Sequence, residues 1–327
     1  MAPLLTRADL DAATAVVRRT VPPTPTFEWP LLSAALGATV LVKHENHTPV
    51  GAFKVRGGLV YVDRLRRERP HVRGLVSATR GNHGQSLALA GTDAGLAVTI
   101  VVPHGNSPDK NAAMRGLGAT LVEHGHDFQA AREHAAALAS ADPTLELVPS
   151  YHRDLVLGVA TYALELFEAA GPLDTVYVPV GMGSGICALL ATREVLGLGT
   201  EIVGVVSERA DATARSVAAG HVVATDSADT FVDGVATRSP DPDAIAAIIA
   251  GQARIVAVSD DLAAEAMRLL FSTTHNVPEP AGALALAGLM AEREAQRGRR
   301  VAVVQTGGNA DADLLRTVLA GGTPVPH

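Results

Sequence analysis

The chain alternates between short runs of β-branched residues and longer segments rich in alanine, leucine, glutamate and arginine, and this alternation limits its fold more than any other feature. The short runs are typical of buried strands, and the longer segments are typical of helices. Strands that alternate with helices form βαβ units and parallel sheets. The predicted strands are Val40–Val42, Leu75–Ser77, Val98–Val102, Thr120–Val122, Val176–Val180, Ile202–Val206, Ile255–Val258 and Val301–Val304. The predicted helices include Phe128–Leu138, Asp154–Ala169 and Leu262–Phe271.

Two prolines interrupt this pattern within Ala141–Ser150, and a boundary is therefore expected there. The sequence predicts an α/β protein with two α/β domains and mainly parallel sheets. The small domain would comprise residues 45–145, and the large domain would combine residues 1–44 with residues 146–327. A cleft between two such domains is a natural ligand site.

The composition argues against several classes of function. The chain has 327 residues, of which 47% are hydrophobic, and its formal net charge is −7 without a basic block, so no nucleic-acid partner is expected. No apolar run reaches the roughly 20 residues of a membrane span. Met1–Leu10 lacks the apolar stretch of a secretion signal, and Cys187, the only cysteine, cannot form an intrachain disulfide. We therefore expect a cytoplasmic protein that does not bind membranes.

Lysine is rare in this chain. Of the 27 basic residues only Lys43, Lys54 and Lys110 are lysines. The guanidinium of arginine stays protonated and cannot replace a lysine in amine chemistry. A reaction that needs an amine is therefore restricted to these three side chains.

Four turns rich in glycine follow predicted strands or begin predicted helices. In parallel α/β folds, the turns at the carboxyl ends of strands bind ligands. The four turns are Gly51–Gly58, Thr79–Gln85, Gly181–Gly185 and Thr306–Asn309.

The turn Gly181–Gly185 joins the strand Val176–Val180 to a helix predicted at Ile186–Leu196. Its glycines allow backbone N–H groups to converge at a helix N-terminus, a geometry that binds phosphate. A dinucleotide fingerprint would require a third glycine at position 186, which is Ile186. A tight strand–helix turn without a ligand remains the alternative.

Lys54 lies between Gly51 and a pair of glycines, at the predicted start of a helix, where backbone can approach a ligand closely. An amine in such a place can form a Schiff base with an aldehyde cofactor, although a lysine is more often a solvated surface residue. In the turn Thr79–Gln85, N–H groups could bind a carboxylate, and Asn82 could donate to a phenolic oxygen. Asn82 could instead cap the following helix.

Five segments together resemble the serine/threonine dehydratases, which are pyridoxal-5′-phosphate (PLP) enzymes of fold type II related to serine racemase. The resemblance runs from about Arg19 to the end of the chain, in family order and spacing. The segments are Pro49–Gly58, Gly81–Gln85, Val178–Gly185, Glu279–Ala283 and Thr306–Asn309.

This resemblance implies a role for each matching residue. Lys54, preceded by Phe53 in the cofactor site, would bind the aldehyde of PLP, and Asn82 would hydrogen-bond its 3′-oxygen. Thr306 would bond the pyridine nitrogen, and Glu279 would lie near the ring. The phosphate would be held by Gly181, Met182, Gly183, Ser184 and Gly185. The substrate carboxylate would be bound by Thr79, Arg80, Gly81, Asn82 and His83.

The chain also departs from the family. Arg80 replaces a residue that is usually small and that is the serine acid/base of the racemase, which argues against racemisation by that mechanism. Some relatives bind a divalent metal through an acidic residue at the position of Ser207. The histidines of His44–His47 and His124–His126 lack the spacing of a metal site. No metal is expected.

We therefore expect a PLP-dependent ammonia-lyase that eliminates the β-hydroxyl of serine- or threonine-like 3-hydroxy amino acids and releases a 2-oxo acid and ammonia. The alternatives are a β-replacement synthase or an amino-acid racemase of the same fold, or a phosphate- or nucleotide-binding module without catalysis. The expected partner is a small amino-acid substrate, and the expected assembly is a homodimer. The chain ends soon after the helix that follows Thr306–Asn309, so we expect no C-terminal regulatory domain and a catabolic role.

Overall fold

The computed structural model describes residues 5–326. Residues 1–4, which belong to the segment used above to argue against a secretion signal, and residue 327 lie outside the described residues. The helices are α1 (Arg7–Val17), α2 (Pro30–Leu36), α3 (Lys54–Glu68), α4 (Asn82–Asp93), α5 (Pro108–Gly116), α6 (Phe128–Ala141), α7 (Arg153–Ala170), α8 (Ser184–Val195), α9 (Ala212–Ala219), α10 (Pro242–Ala250), α11 (Asp260–Thr274), α12 (Pro280–Ala291) and α13 (Ala312–Leu319). The strands are β1 (Thr26–Glu28), β2 (Thr39–His44), β3 (Gly74–Ala78), β4 (Ala97–Val102), β5 (Thr120–Glu123), β6 (Leu145–Leu147), β7 (Thr175–Pro179), β8 (Glu201–Ser207), β9 (Arg254–Val258) and β10 (Arg300–Gln305).

The strands form two sheets. The larger sheet has the order β1-β2-β10-β7-β8-β9, and only β1 is antiparallel to its neighbour. The smaller sheet has the order β5-β4-β3-β6 and is entirely parallel. Because neighbouring parallel strands end at the same edge, the turns after β2, β7 and β10 lie side by side.

Each of the eight predicted strands is present, and the predicted class of α/β fold with mainly parallel sheets is confirmed. β1 and β6 were missed because each has only three residues and lacks a β-branched run. The division into domains at 45–145 stays a prediction; β6, the edge strand of the smaller sheet, crosses its predicted end.

A buried ionic cluster fixes α3 to the larger sheet. The Arg56 guanidinium donates to Glu45 at 2.7 Å and to Glu165 at 2.7 Å. Lys43 donates to Glu165 at 2.7 Å and to the carbonyl of Thr24 at 2.9 Å. The side chains of Lys43, Glu45 and Arg56 are fully buried. Each charge of the cluster has partners of opposite sign. Because Arg56 lies on α3 two residues after Lys54, the cluster fixes the start of this helix.

We predict that Arg56→Met destabilises the protein by about 3–5 kcal/mol, because it removes the closest cationic partner of the buried Glu45 carboxylate and one of the cationic partners of Glu165. Arg19→Met is the matched control: Arg19 pairs with Asp63 while its side chain is 68% exposed, so its loss should cost less than about 1 kcal/mol. Urea unfolding of both variants measures the difference. Equal stability of the two variants would contradict the importance of the cluster.

Candidate active site

A backbone bridge joins the turn before α3 to the turn after β10. Ala52 pairs with Gly307 in an isolated antiparallel bridge, and the Phe53 N–H donates to the Thr306 carbonyl at 3.0 Å. Glycine is required at 307, since a Cβ there would lie 3.2 Å from that of Ala52 and would collide with the Glu279 carboxylate. The bridge therefore brings the turns of Lys54, Thr306 and Glu279 together.

Lys54 is the first residue of α3 and is half-buried. Its amine lies 4.9 Å from the centre of the Phe53 ring and donates no hydrogen bond to another described residue. Burial lowers the pKa of Lys54, and the nearby Glu279 carboxylate only partly opposes this. A larger fraction of this amine is therefore neutral than is usual for lysine.

The turn Gly181–Gly185 presents free donors and is linked through Tyr162 to the residue before Lys54. None of the N–H groups of residues 181–185 donates to another described residue, and Gly183, with φ of 98°, precedes the first turn of α8. The Gly185 carbonyl accepts a 3.1 Å hydrogen bond from Tyr162, whose ring packs edge-to-face on Phe53 at 6.1 Å. These contacts link the glycine turn to the residue before Lys54, as a phosphate site for one bound molecule requires.

Asn82 does not cap α4 through its side chain, so the capping interpretation is wrong. Its amide donates to Glu279 at 2.7 Å and accepts from Asn309 at 2.8 Å. Asn309 also donates to the Val50 carbonyl at 2.9 Å. The structure therefore connects Asn82 and Glu279, which are far apart in sequence. It also adds Asn309 to the site, a residue that the sequence indicated only through its position in the fourth glycine turn.

Glu279 is nearly completely buried, and burial raises its pKa to about 7. Lys110, the Asn82 amide and Lys54 lower its pKa, whereas Asp233 raises it further. The carboxyl group therefore changes its protonation state near neutral pH, next to the half-buried amine of Lys54.

This pKa predicts a pH dependence of stability in the cofactor-free protein. Between about pH 4.5 and pH 7, Glu279 is protonated in the folded state and ionised in the unfolded state. The free energy of unfolding therefore decreases as the pH rises through this window. We predict that Glu279→Gln abolishes this loss, which amounts to at most about 3 kcal/mol. Urea unfolding at pH 5 and pH 8 measures it. The same decrease in the variant as in the original protein would contradict the assignment.

The turn Thr79–His83 follows β3 and leads into α4. Thr79 is buried and accepts from the Gly81 N–H at 3.2 Å. The N–H groups of Asn82 and His83, at the N-terminus of α4, donate to no other described residue and are free to bind an anion. His83 is buried, and burial lowers its pKa to about 3, so its ring is neutral.

Arg80 differs from the rest of this turn because its side chain is exposed. It forms no hydrogen bond or ion pair within the described chain. Behind the turn lies Lys110, whose amine pairs with Asp233 and whose side-chain Cδ would lie 2.7 Å from a Cβ at Gly81. No sequence signal beyond the rarity of lysine pointed to Lys110, and none pointed to Asp233.

The remaining candidate side chains have structural partners. The indole N–H of Trp29 donates to His44 at 3.0 Å, and the other ring nitrogen of His44 lies 3.1 Å from the Gln305 side-chain oxygen. His124 stacks on His134 with ring centres 4.0 Å apart. Burial raises the pKa of Cys187 to about 12, so its thiol is a poor nucleophile.

Comparison with known proteins identifies the family. The model of a family described as pyridoxal-phosphate dependent enzymes matches residues 17–307. The chain belongs to this family. An L-threo-3-hydroxyaspartate ammonia-lyase from Saccharomyces cerevisiae is 31% identical, over 97% of both chains. The enzyme of that name from a Pseudomonas species is 33% identical, over 91% of this chain and 93% of its own.

A solved structure of a threonine deaminase from T.th. has the same fold, with a TM-score of 0.87 and 32% identity, over 94% of this chain and 99% of its own. The predicted dehydratase resemblance, the fold class, the PLP cofactor and the ammonia-lyase class of enzyme are therefore confirmed. The individual site residues stay predictions. No helix among residues 5–326 is long and apolar enough to cross a membrane. The cytoplasmic location stays a prediction.

The residues present fit PLP. The five free N–H groups of 181–185 suit a phosphate dianion, and the Ser184 hydroxyl also has no partner within the described chain. The Thr306 hydroxyl, on a buried residue, likewise forms no hydrogen bond there and can serve a ring nitrogen. Lys54 and Asn82 both interact with Glu279, whose N–H donates to the Gly307 carbonyl directly after Thr306.

Proposed function

We propose that this protein catalyses the β-elimination of 3-hydroxy amino acids and releases a 2-oxo acid and ammonia. The observation that carries this proposal is the amine of Lys54, which has no hydrogen-bond partner in the described chain and whose pKa is lowered, beside free donors for a phosphate and for a carboxylate. When bound, PLP supplies an aldehyde for the substrate amine and an electron sink for the α-carbon.

The chain's own residues would act as follows. The free N–H groups of the turn Thr79–His83 would bind the α-carboxylate and orient the Cα–H bond toward Lys54. Lys54, as a neutral amine, would accept the α-proton. The β-hydroxyl would leave with a proton as water. The resulting enamine would tautomerise to an imine, and hydrolysis of the imine gives the 2-oxo acid and ammonia.

Thr306 and Asn82 would tune the electronic state of the cofactor. The uncharged Thr306 hydroxyl can bond a ring nitrogen without favouring its protonation, which a carboxylate would do. Asn82, held between Glu279 and Asn309, would present its amide to the 3′-oxygen. A weaker electron sink favours loss of the β-hydroxyl over return of the α-proton, so this environment favours elimination over racemisation.

The names of two relatives support 3-hydroxyaspartate as one member of the substrate class. The assembly that we propose is a homodimer, in which Phe27 on the edge strand β1 and Leu31 on α2, which are 52% and 65% exposed, would be covered. Sedimentation of the holoenzyme tests the dimer.

The function is tested by screening the holoenzyme for 2-oxo acid release from L-serine, L-threonine and L-threo-3-hydroxyaspartate, with and without thiols. Release that does not depend on thiols is expected, and a thioether product in its place would indicate β-replacement. Lys54→Ala should lose turnover and keep its fold, and Lys54→Arg should also be inactive because arginine retains the charge without a usable amine. Activity of the arginine variant comparable to that of the original enzyme would contradict the role of Lys54.

We predict that Thr306→Asp raises the proton affinity of the cofactor ring nitrogen, because a carboxylate beside that nitrogen stabilises its protonated form. Elimination should slow, and the visible absorbance of the holoenzyme during turnover should change. Thr306→Ser is the control, since it keeps the hydroxyl and should keep both properties. If the aspartate variant has the spectrum and rate of the original enzyme, Thr306 does not touch the ring.

A further inference from the structure

Three cationic side chains belong to the turns of the site or pack against them, and two of them already interact with carboxylates. Lys110 is buried and forms an ion pair with Asp233. Lys54 interacts electrostatically with Glu279. Arg80 is the exception, because its guanidinium is exposed and has no partner within the described chain.

The side chain of Lys110 packs against the backbone of Gly81, the residue after Arg80. The Lys110 side chain packs so closely on Gly81 that a Cβ there would lie 2.7 Å from its Cδ. Ser107 caps α5 through the Lys110 N–H at 3.1 Å and donates to Asp311 at 2.5 Å. These contacts fix the backbone of the turn, so the Arg80 side chain begins at a defined position.

Two other exposed arginines of this chain bind carboxylates through both ends of the guanidinium. Arg69 binds both oxygens of Glu146 at 2.6 and 2.7 Å, and Arg254 binds both oxygens of Glu292 at 2.7 and 3.1 Å. The planar guanidinium suits such bidentate pairing. At Arg80 no such partner is present within residues 5–326, although the adjoining N–H groups of Asn82 and His83 are placed to hold one carboxylate of a substrate.

We propose that Arg80 is a specificity-determining residue that binds the second carboxylate of a dicarboxylic 3-hydroxy amino acid. This inference rests on the proposed function, since it assumes that the turn binds the α-carboxylate of the substrate. The N–H groups at the N-terminus of α4 take the α-carboxylate, and the Arg80 guanidinium takes the carboxylate at the other end. Substrates with a methyl group or hydrogen there, such as threonine and serine, leave Arg80 without a partner.

The test compares kcat/KM of the holoenzyme for L-threo-3-hydroxyaspartate and L-serine before and after Arg80→Ala. We expect a loss of at least roughly tenfold for the dicarboxylic substrate and of less than about threefold for serine. Arg73→Ala is the matched control, because Arg73 is also exposed and without an ion pair in the described chain but precedes β3 at its opposite end. It should change neither constant.

A second readout needs no turnover. In calorimetric titrations of the holoenzyme, the affinity for succinate should fall at least roughly tenfold in Arg80→Ala. The affinity of the original enzyme for succinate should also fall with added salt. Propionate, which has one carboxylate, should bind both proteins with equal affinity. Equal losses for both substrates, or unchanged constants for both, would overturn the role of Arg80. An enzyme that turns over serine but not 3-hydroxyaspartate would also overturn it and leave the proposed function standing. Absence of 2-oxo acid from every substrate would contradict the proposed function, while the succinate titration still tests Arg80.

Discussion

The backbone bridge between Ala52 and Gly307 is the interaction on which the geometry of the site depends. It is possible because β2 and β10 are parallel neighbours, with Gln305 opposite His44, so the chain leaves both strands at the same edge. The Glu279 N–H donates to the Gly307 carbonyl at 3.1 Å, which adds the start of α12 to the same junction. Three segments far apart in sequence thereby meet at the turn that leads into Lys54.

The three lysines of this arginine-rich chain occupy three different electrostatic environments. Lys43 is fully buried and has two carboxylate partners. Lys110 is paired with Asp233 and packs closely on Gly81 in the turn Thr79–His83. Lys54 alone among them donates no hydrogen bond to a described residue, and burial lowers its pKa. We therefore propose the amine with the fewest competing partners as the one that would form the Schiff base.

The sequence predicted the regular parts of the fold because buried parallel strands and glycine turns leave local signals. It missed β1 and β6, whose pairing comes from neighbouring strands and not from their own composition. Within the site, it placed the turns correctly but not the contacts between them. The bond from Asn82 to Glu279 spans 197 positions, and the pair of Lys110 with Asp233 spans 123. Such contacts depend on how the chain returns to the same edge of the sheet, which no local pattern encodes.

The most direct test of this account is to locate the covalent attachment of the cofactor. The holoenzyme is reduced with borohydride and digested, and the peptide that carries the cofactor is identified by mass spectrometry. The label should lie on Lys54, because burial lowers the pKa of its amine and because this amine donates no hydrogen bond to another described residue. A label on Lys43 or Lys110, or a protein that carries no label after reduction, would contradict it.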